Sequence, residues 1–136
     1  MAKFARKGGY RSYLNVSVIA QLKEPVGSGS CAALPEFYTR IGKAGNWREG
    51  EKVKGHKTIK KGTAIATFVN GRYPNAAHGN HAALYVSQDT SGIKVVDQWE
   101  DQVPHERVLE FLGEKDGAYV DPSNNGDAFS IIELEA

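Results

Sequence analysis

Hydrophobic and polar positions change their rhythm partway along the chain. In "LNVSVIAQLKE" (14–24), Leu14, Val18, Ile19 and Leu22 recur near helical spacing, which predicts a helix with one apolar face. Pro25 and the glycines at 27 and 29 end it. Ser30 is placed to cap a second helix running to about Ile41. Pro35 lies past the first turn of that helix and is expected to kink or delay it. "GKAGNWREGEKVKGHKTIKKG" (42–62) reads as a long surface connection rich in Lys and Gly. From residue 63 the pattern is strand-like: "TAIATFV" (63–69), "HAALYVS" (81–87), "GIKVVDQW" (92–99), "RVLEFL" (107–112) and "DAFSIIEL" (127–134). "NGRYPN", "DTSG" and "PSNNGD" supply turns between them. Gaps this short favour antiparallel hairpins, because parallel strands need longer crossovers. The expected fold class is α+β, with N-terminal helices packed on an antiparallel sheet of about five strands, in one domain over 1–136.

Composition sets limits on this picture. A chain of 136 residues, 40% hydrophobic and 24% charged, is long enough for a real core and ordinary for a globular protein. One cysteine excludes an internal disulfide framework and a cysteine-rich zinc site. No apolar run approaches the length of a membrane span, so no membrane insertion is expected. "MAKFARKGGYRSYLN" is basic but has no apolar core segment, so no secretory signal is expected there. Net charge is +1 and unevenly spread: residues 1–61 hold 13 Lys/Arg against 4 Asp/Glu, and residues 62–136 hold 4 against 12. Such a basic half suits an anionic partner. Without a tight cluster of interleaved aromatics, however, the charges read as solvated faces and no nucleic-acid partner is expected.

The chemistry centres on "VGSGSCAALPEF" (26–37), which holds the lone Cys31. A thiol at the start of a helix is biased toward thiolate, because unpaired N–H groups and the helix dipole favour the anion. A nucleophilic cysteine also needs a base, usually His. Among His56, His78, His81 and His105, His81 is best placed, since it begins a strand that can hold its ring in position. The next strand ends in "VVDQW" and offers Asp97 or Gln98 to orient the imidazole. If Val86 pairs with Gly92, His81 faces Asp97; if Val86 pairs with Ile93, it faces Gln98. Ile93, Val95 and Asp97 share the drier face. The helices are expected to cover that face and to bring Cys31 with them, so Asp97 is preferred and Gln98 held in reserve. His78, His81, Asp97 and His105 together form the alternative of a zinc site. Trp47 and Trp99 read as core or rim, and Tyr73, just before His81, is positioned to line a cleft.

"GSGSCAALPEFY", "KGTAIATF", "GNHAALYVS" and "IKVVDQW" together resemble the CHAP and NlpC/P60 superfamily of papain-like bacterial amidases. The likeness spans about residues 14–134 and is closer still to small CHAP-like proteins that carry "GTAIATF", "HAA-Y" and "DQW". It implies a papain-like fold, with Cys31 as nucleophile, His81 as base and Asp97 as the orienting residue. It further implies an amidase or endopeptidase cutting the peptide stems of peptidoglycan without metal or cofactor. Similar single-domain amidases serve as type VI secretion effectors. By that likeness the chain is made in the cytoplasm, passes through a secretion machine, acts in a target cell's periplasm and is blocked by an immunity protein. The family often has Gln before the cysteine; here Ser30 stands there, beside a cleft expected to include Tyr73 and Trp99. Thr63 replaces an Asp common in relatives, and the position often held by Asn falls near Trp99. The competing readings are an inactive wall-peptide or partner-binding module, a nucleic-acid-binding domain and an intracellular peptide amidase.

Overall fold

The computed structural model describes residues 9–76 and 78–134. Its strands are β1 (Trp47–Lys52), β2 (Ala64–Thr67), β3 (Ala82–Gln88), β4 (Gly92–Trp99), β5 (Gln102–Glu110), β6 (Glu114–Lys115), β7 (Ala118–Tyr119) and β8 (Phe129–Leu134). Six of them form one sheet in the order β1-β8-β2-β3-β4-β5, every pair antiparallel, and β6 and β7 form a small ribbon apart. The helices are two short turns, α1 (Val16–Ile19) and α2 (Ala33–Tyr38).

The sheet is buried on both sides. One face carries Ala64, Leu84, Val96 and Ile132 and packs against Ile19, Leu34, Ile41 and Trp47. The other carries Ile65, Tyr85, Ile93, Val95 and Phe129 and is closed by Ile59, Phe111 and Tyr119. Each large aliphatic side chain fully removed from water contributes about 1.5–3 kcal/mol, so these two layers outweigh the weak intrinsic preference of such short helices.

Several expectations from the chain change here. The first helix forms, but as four residues rather than eleven: Asn15 caps it by accepting from the Ser17 N–H at 2.9 Å, and the chain turns away after Ala20. Over one turn the inward positions are Val16 and Ile19, so Val18 is left 49% exposed. The second helix starts at Ala33, which puts Pro35 inside its first turn, where a missing N–H breaks no helical bond. Ser30 still accepts from the Ala33 N–H at 3.3 Å, three residues on. The supposed surface connection holds β1, whose letters "WREGEK" lack alternation because it is an edge strand fully buried only at Trp47. β5 begins at Gln102, five residues earlier than the pattern suggested, after a tight turn in which Asp101 takes a φ of 76°. Pro104 lies within β5 and is tolerated because β5 is the other edge.

The register of β3 on β4 differs from both alternatives weighed. Leu84 pairs with Val96 and Tyr85 with Val95, and a bulge at Val86 shifts the remaining pairs to Ser87–Lys94 and Gln88–Ile93. Continued past Ala82, this register sets His81 opposite Trp99, two residues beyond Asp97. Because the offset is two, His81 and Asp97 keep a common face and meet diagonally. The helices cover the opposite face, the one with Leu84, Val96 and Gln98, so the expectation that they cover the Asp97 face is reversed.

Candidate active site

Cys31 reaches the His81 end of the β3–β4 pair from the segment 26–30, which curls under the sheet. Gly27 and Gly29 sit at φ of 58° and 88°, a region open to glycine at little strain. The curl is pinned by Gln98. Its Oε1 accepts from the Val26 N–H at 2.8 Å, and its Nε2 donates to the Val26 carbonyl at 2.9 Å and the Ser30 carbonyl at 2.8 Å. Gln98 therefore does not face His81; it holds the backbone on either side of the Cys31 approach.

His81 immediately precedes β3 and is only 5% exposed. Its backbone is fixed by Thr67: the His81 N–H donates to Thr67 Oγ1 and the Thr67 N–H donates to the His81 carbonyl, both at 3.0 Å. Its Nε2 lies 2.6 Å from Oδ2 of the wholly buried Asp97. With Nε2 committed to the carboxylate, Nδ1 is the nitrogen left for the sulfur. The Tyr73 hydroxyl stands 3.4 Å from Cys31 Sγ, and its ring packs on Trp47 at 4.9 Å between centroids.

The electrostatics follow from this packing. Burial pushes the Cys31 thiol up, but the hydrogen bond and charge of His81, the Tyr73 hydroxyl and the Ala82 N–H all favour thiolate, and the net shift is downward from 9.0. Burial pulls His81 down, while Asp97 and Cys31 stabilise its proton and carry it above 6.5. Tyr73 is raised well above the ordinary phenol range by burial and by the sulfur beside it, so its hydroxyl stays a proton donor. α2 is only six residues long and starts at Ala33, two residues past Cys31, and the largest influence favouring the thiolate is His81.

A cleft of about 750 Å³ opens over this cluster, with Ser30, Cys31, Tyr73, His81 and Trp99 in its lining. Trp99 stays 38% exposed there, and Ser30 is at the surface. A larger concavity of about 830 Å³, around Lys57 and Thr90, lies at the far end of the β3–β4 hairpin, away from any thiol–imidazole chemistry. His78 is exposed on the cleft rim, and His105 lies on β5 opposite Asp97, its Nδ1 3.8 Å from Asp97 Oδ1. His56 pairs with Glu51 elsewhere. Among the described residues no group of three or more His, Cys, Asp or Glu is arranged to hold a metal ion. No helix of the described residues is long and apolar enough to cross a membrane. One participant had no sequence signal: Arg107 Nε donates to Asp97 Oδ2 at 2.7 Å. "HERVLE" reads as an ordinary polar strand, and only the Val95–Arg107 pairing brings the guanidinium to the carboxylate.

A thiol, an imidazole and a buried carboxylate in series, beneath an open cleft on an antiparallel sheet, are equipment for acyl transfer. The chain belongs to the domesticated amidase effector 2 family, whose profile matches residues 17–132. It is 42% identical over 129 residues to the type VI secretion amidase effector 2 protein of Salmonella typhi, covering 89% of this chain and 97% of that protein. The domesticated amidase effector 2 of Ixodes scapularis is 35% identical over 105 residues, covering 76% of this chain and 65% of that protein. In three dimensions the fold superposes on a solved type 6 secretion amidase effector 2 with a TM-score of 0.81 at 44% identity, covering 92% of this chain and 95% of the other.

Proposed function

We propose that this chain is a papain-like cysteine amidase that hydrolyses amide bonds in the peptide stems of bacterial peptidoglycan and acts as an antibacterial effector. The observation that carries the reading is the unbroken series from Cys31 through His81 to the buried Asp97 carboxylate. The Cys31 thiolate attacks the amide carbon and forms a C–S bond, while the carbonyl π electrons move to oxygen. The Cys31 N–H and the Tyr73 hydroxyl donate to that oxyanion, and Tyr73 supplies the side-chain donor that Ser30 is too short to provide. His81 gives its proton to the leaving nitrogen, the C–N bond breaks and an amine departs. A water, losing its proton to His81, then attacks the thioester, the C–S bond breaks, and a carboxylic acid leaves with the Cys31 thiolate and the His81 imidazolium restored. Every step uses the chain's own groups and water, so neither metal nor cofactor enters. Asp97 holds the imidazole by Nε2 and stabilises the imidazolium that each half-reaction passes through.

The peptide-stem substrate rests on the family's amidase effector description and on the open cleft of about 750 Å³ over Cys31 and His81. The effector reading brings a secretion machine for delivery and an immunity protein that occupies the cleft in the producer. Expression in a Gram-negative host tests it. Without an added export signal growth should be normal, because the cytoplasm holds no polymeric wall. With a periplasmic export signal the cells should lyse, and Cys31→Ala or His81→Ala should abolish lysis. Equal growth with and without verified export would overturn the wall-directed reading in favour of an intracellular substrate.

A further inference from the structure

The Asp97 carboxylate presents a question of anchorage. It is wholly buried, and its Oδ1 has no hydrogen-bond partner among the described residues. His105 Nδ1 stands 3.8 Å from Oδ1, beyond hydrogen-bond reach, so the hydrogen bonds that fix the group act through Oδ2. Two groups reach that oxygen: His81 Nε2 at 2.6 Å and Arg107 Nε at 2.7 Å. A carboxylate cannot orient an imidazole if the same imidazole is its only tether, because the pair would then rotate together. Among the described residues, Arg107 is the one hydrogen-bonding anchor on Oδ2 besides His81.

The rest of the guanidinium is also occupied. Nη1 donates to Asn124 Oδ1 at 2.9 Å, on a segment that lines the cleft. Asn124 is tied in turn to Asp121, its Nδ2 donating to Oδ2 at 3.0 Å. The guanidinium carbon lies 4.9 Å from the centre of the Trp99 ring, which also lines the cleft. Nη2 comes within 3.4 Å of His81 Nε2. Since that nitrogen's own proton goes to Asp97, the approach is a close packing contact rather than a second hydrogen bond. Three separate parts of the site, the carboxylate, the indole and the 121–124 wall, thus converge on one planar group. An ammonium cannot hold all three, because it lacks the fork.

The geometry points to Arg107 as the positioning residue of this site. It fixes the Asp97 carboxylate independently of His81 and locks the cleft wall to it, so that the imidazole and the substrate-facing surface keep one relative orientation. The inference rests on the cysteine-amidase reading above, and to Cys31, His81 and Asp97 it adds a fourth residue that acts through the Asp97 carboxylate.

Purified wild type, Arg107→Met, Arg107→Lys, Asp97→Asn and Cys31→Ala are compared on soluble muropeptides, with thermal unfolding and histidine NMR of each. Arg107→Met should lower kcat by about 10- to 100-fold, as loss of the partner that orients a functional ligand commonly does, while KM changes by less than about threefold. The Nε2-bound proton of His81, shifted downfield by its short bond to Asp97, should move upfield or broaden away. A merely structural arginine would lower the melting temperature but leave that proton where it is in the folded fraction. The double variant Arg107→Met/Asp97→Asn should be scarcely slower than Asp97→Asn alone, since both remove one device. Arg107→Lys keeps the charge and guards against a Met variant that fails to fold; it should remain at least about fivefold below wild type in kcat. Wild-type kcat and an unmoved His81 proton in Arg107→Met, or in Arg107→Lys if the first does not fold, would overturn the positioning role while leaving inactive Cys31→Ala and Asp97→Asn to support the amidase reading. Activity retained in Cys31→Ala would instead remove that reading itself.

Discussion

Cys31 and His81 shift each other's titration in opposite directions, and the working pH range follows. The thiol is moved below 9.0 and the imidazole above 6.5, and both shifts favour a thiolate–imidazolium pair over a working interval of pH. Below it the sulfur regains its proton, and above it the imidazolium loses the one the leaving amine needs. The kcat/KM profile should therefore be a bell whose two limbs belong to the coupled pair. Because Cys31 is the chain's single thiol, iodoacetamide reads the acid side directly. Alkylation of wild type should persist well below the pH at which a free cysteine loses reactivity, and His81→Ala should return it to ordinary thiol behaviour. An identical profile for the two proteins would contradict the pairing. Asp97→Asn removes the imidazolium's counter-charge and should slow turnover on the order of 10³-fold with KM little changed, measured by steady-state kinetics. At this scale the sequence was informative: a lone Cys after a Gly/Ser hinge and a His at a strand start are local features. Arg107 was not legible, because its role exists only through cross-strand register.

At the scale of elements, polarity and position explain what could be read. β2, β3, β4 and β8 lie inside the sheet, show long apolar stretches and were visible as strands. β1 is an edge and mostly solvated, so its letters matched a loop. The helices were overestimated because an apolar stripe at helical spacing says nothing about length when tertiary packing supplies the stability. Asp97 was preferred over Gln98 for a reason that the fold reverses: the helices lie on the Gln98 side. The two residues share out the work by facing opposite sides of β4, Asp97 toward His81 and Gln98 toward the curl that carries Cys31. Gln98→Ala strips three hydrogen bonds from buried backbone and should lower stability by about 1–3 kcal/mol, read by denaturant unfolding. It should also slow turnover through a loosened Cys31, but by less than Asp97→Asn does. If Gln98→Ala were the slower of the two at matched folding, the division of roles across β4 would be wrong.

Across the whole molecule, the uneven charge of the sequence does not form the chemical centre. The cleft draws on both halves of the chain, with Ser30, Cys31 and Tyr73 from segments before β3 and Trp99 and Arg107 from β4 and β5. Catalysis by the chain's own groups predicts that EDTA leaves the rate unchanged; loss of activity restored by zinc would favour the metal alternative built on His78, His81, Asp97 and His105. The central claim, that one thiol cuts the peptide stems of the wall, has a direct chemical readout. Purified peptidoglycan is incubated with wild type or Cys31→Ala, and the soluble products are separated and weighed by mass spectrometry. The wild type should release fragments that have gained one water across an amide bond, each with a new amine or carboxyl end, and the folded Cys31→Ala protein should release none. Intact peptidoglycan after wild-type treatment, or the same fragments from Cys31→Ala, would contradict the account.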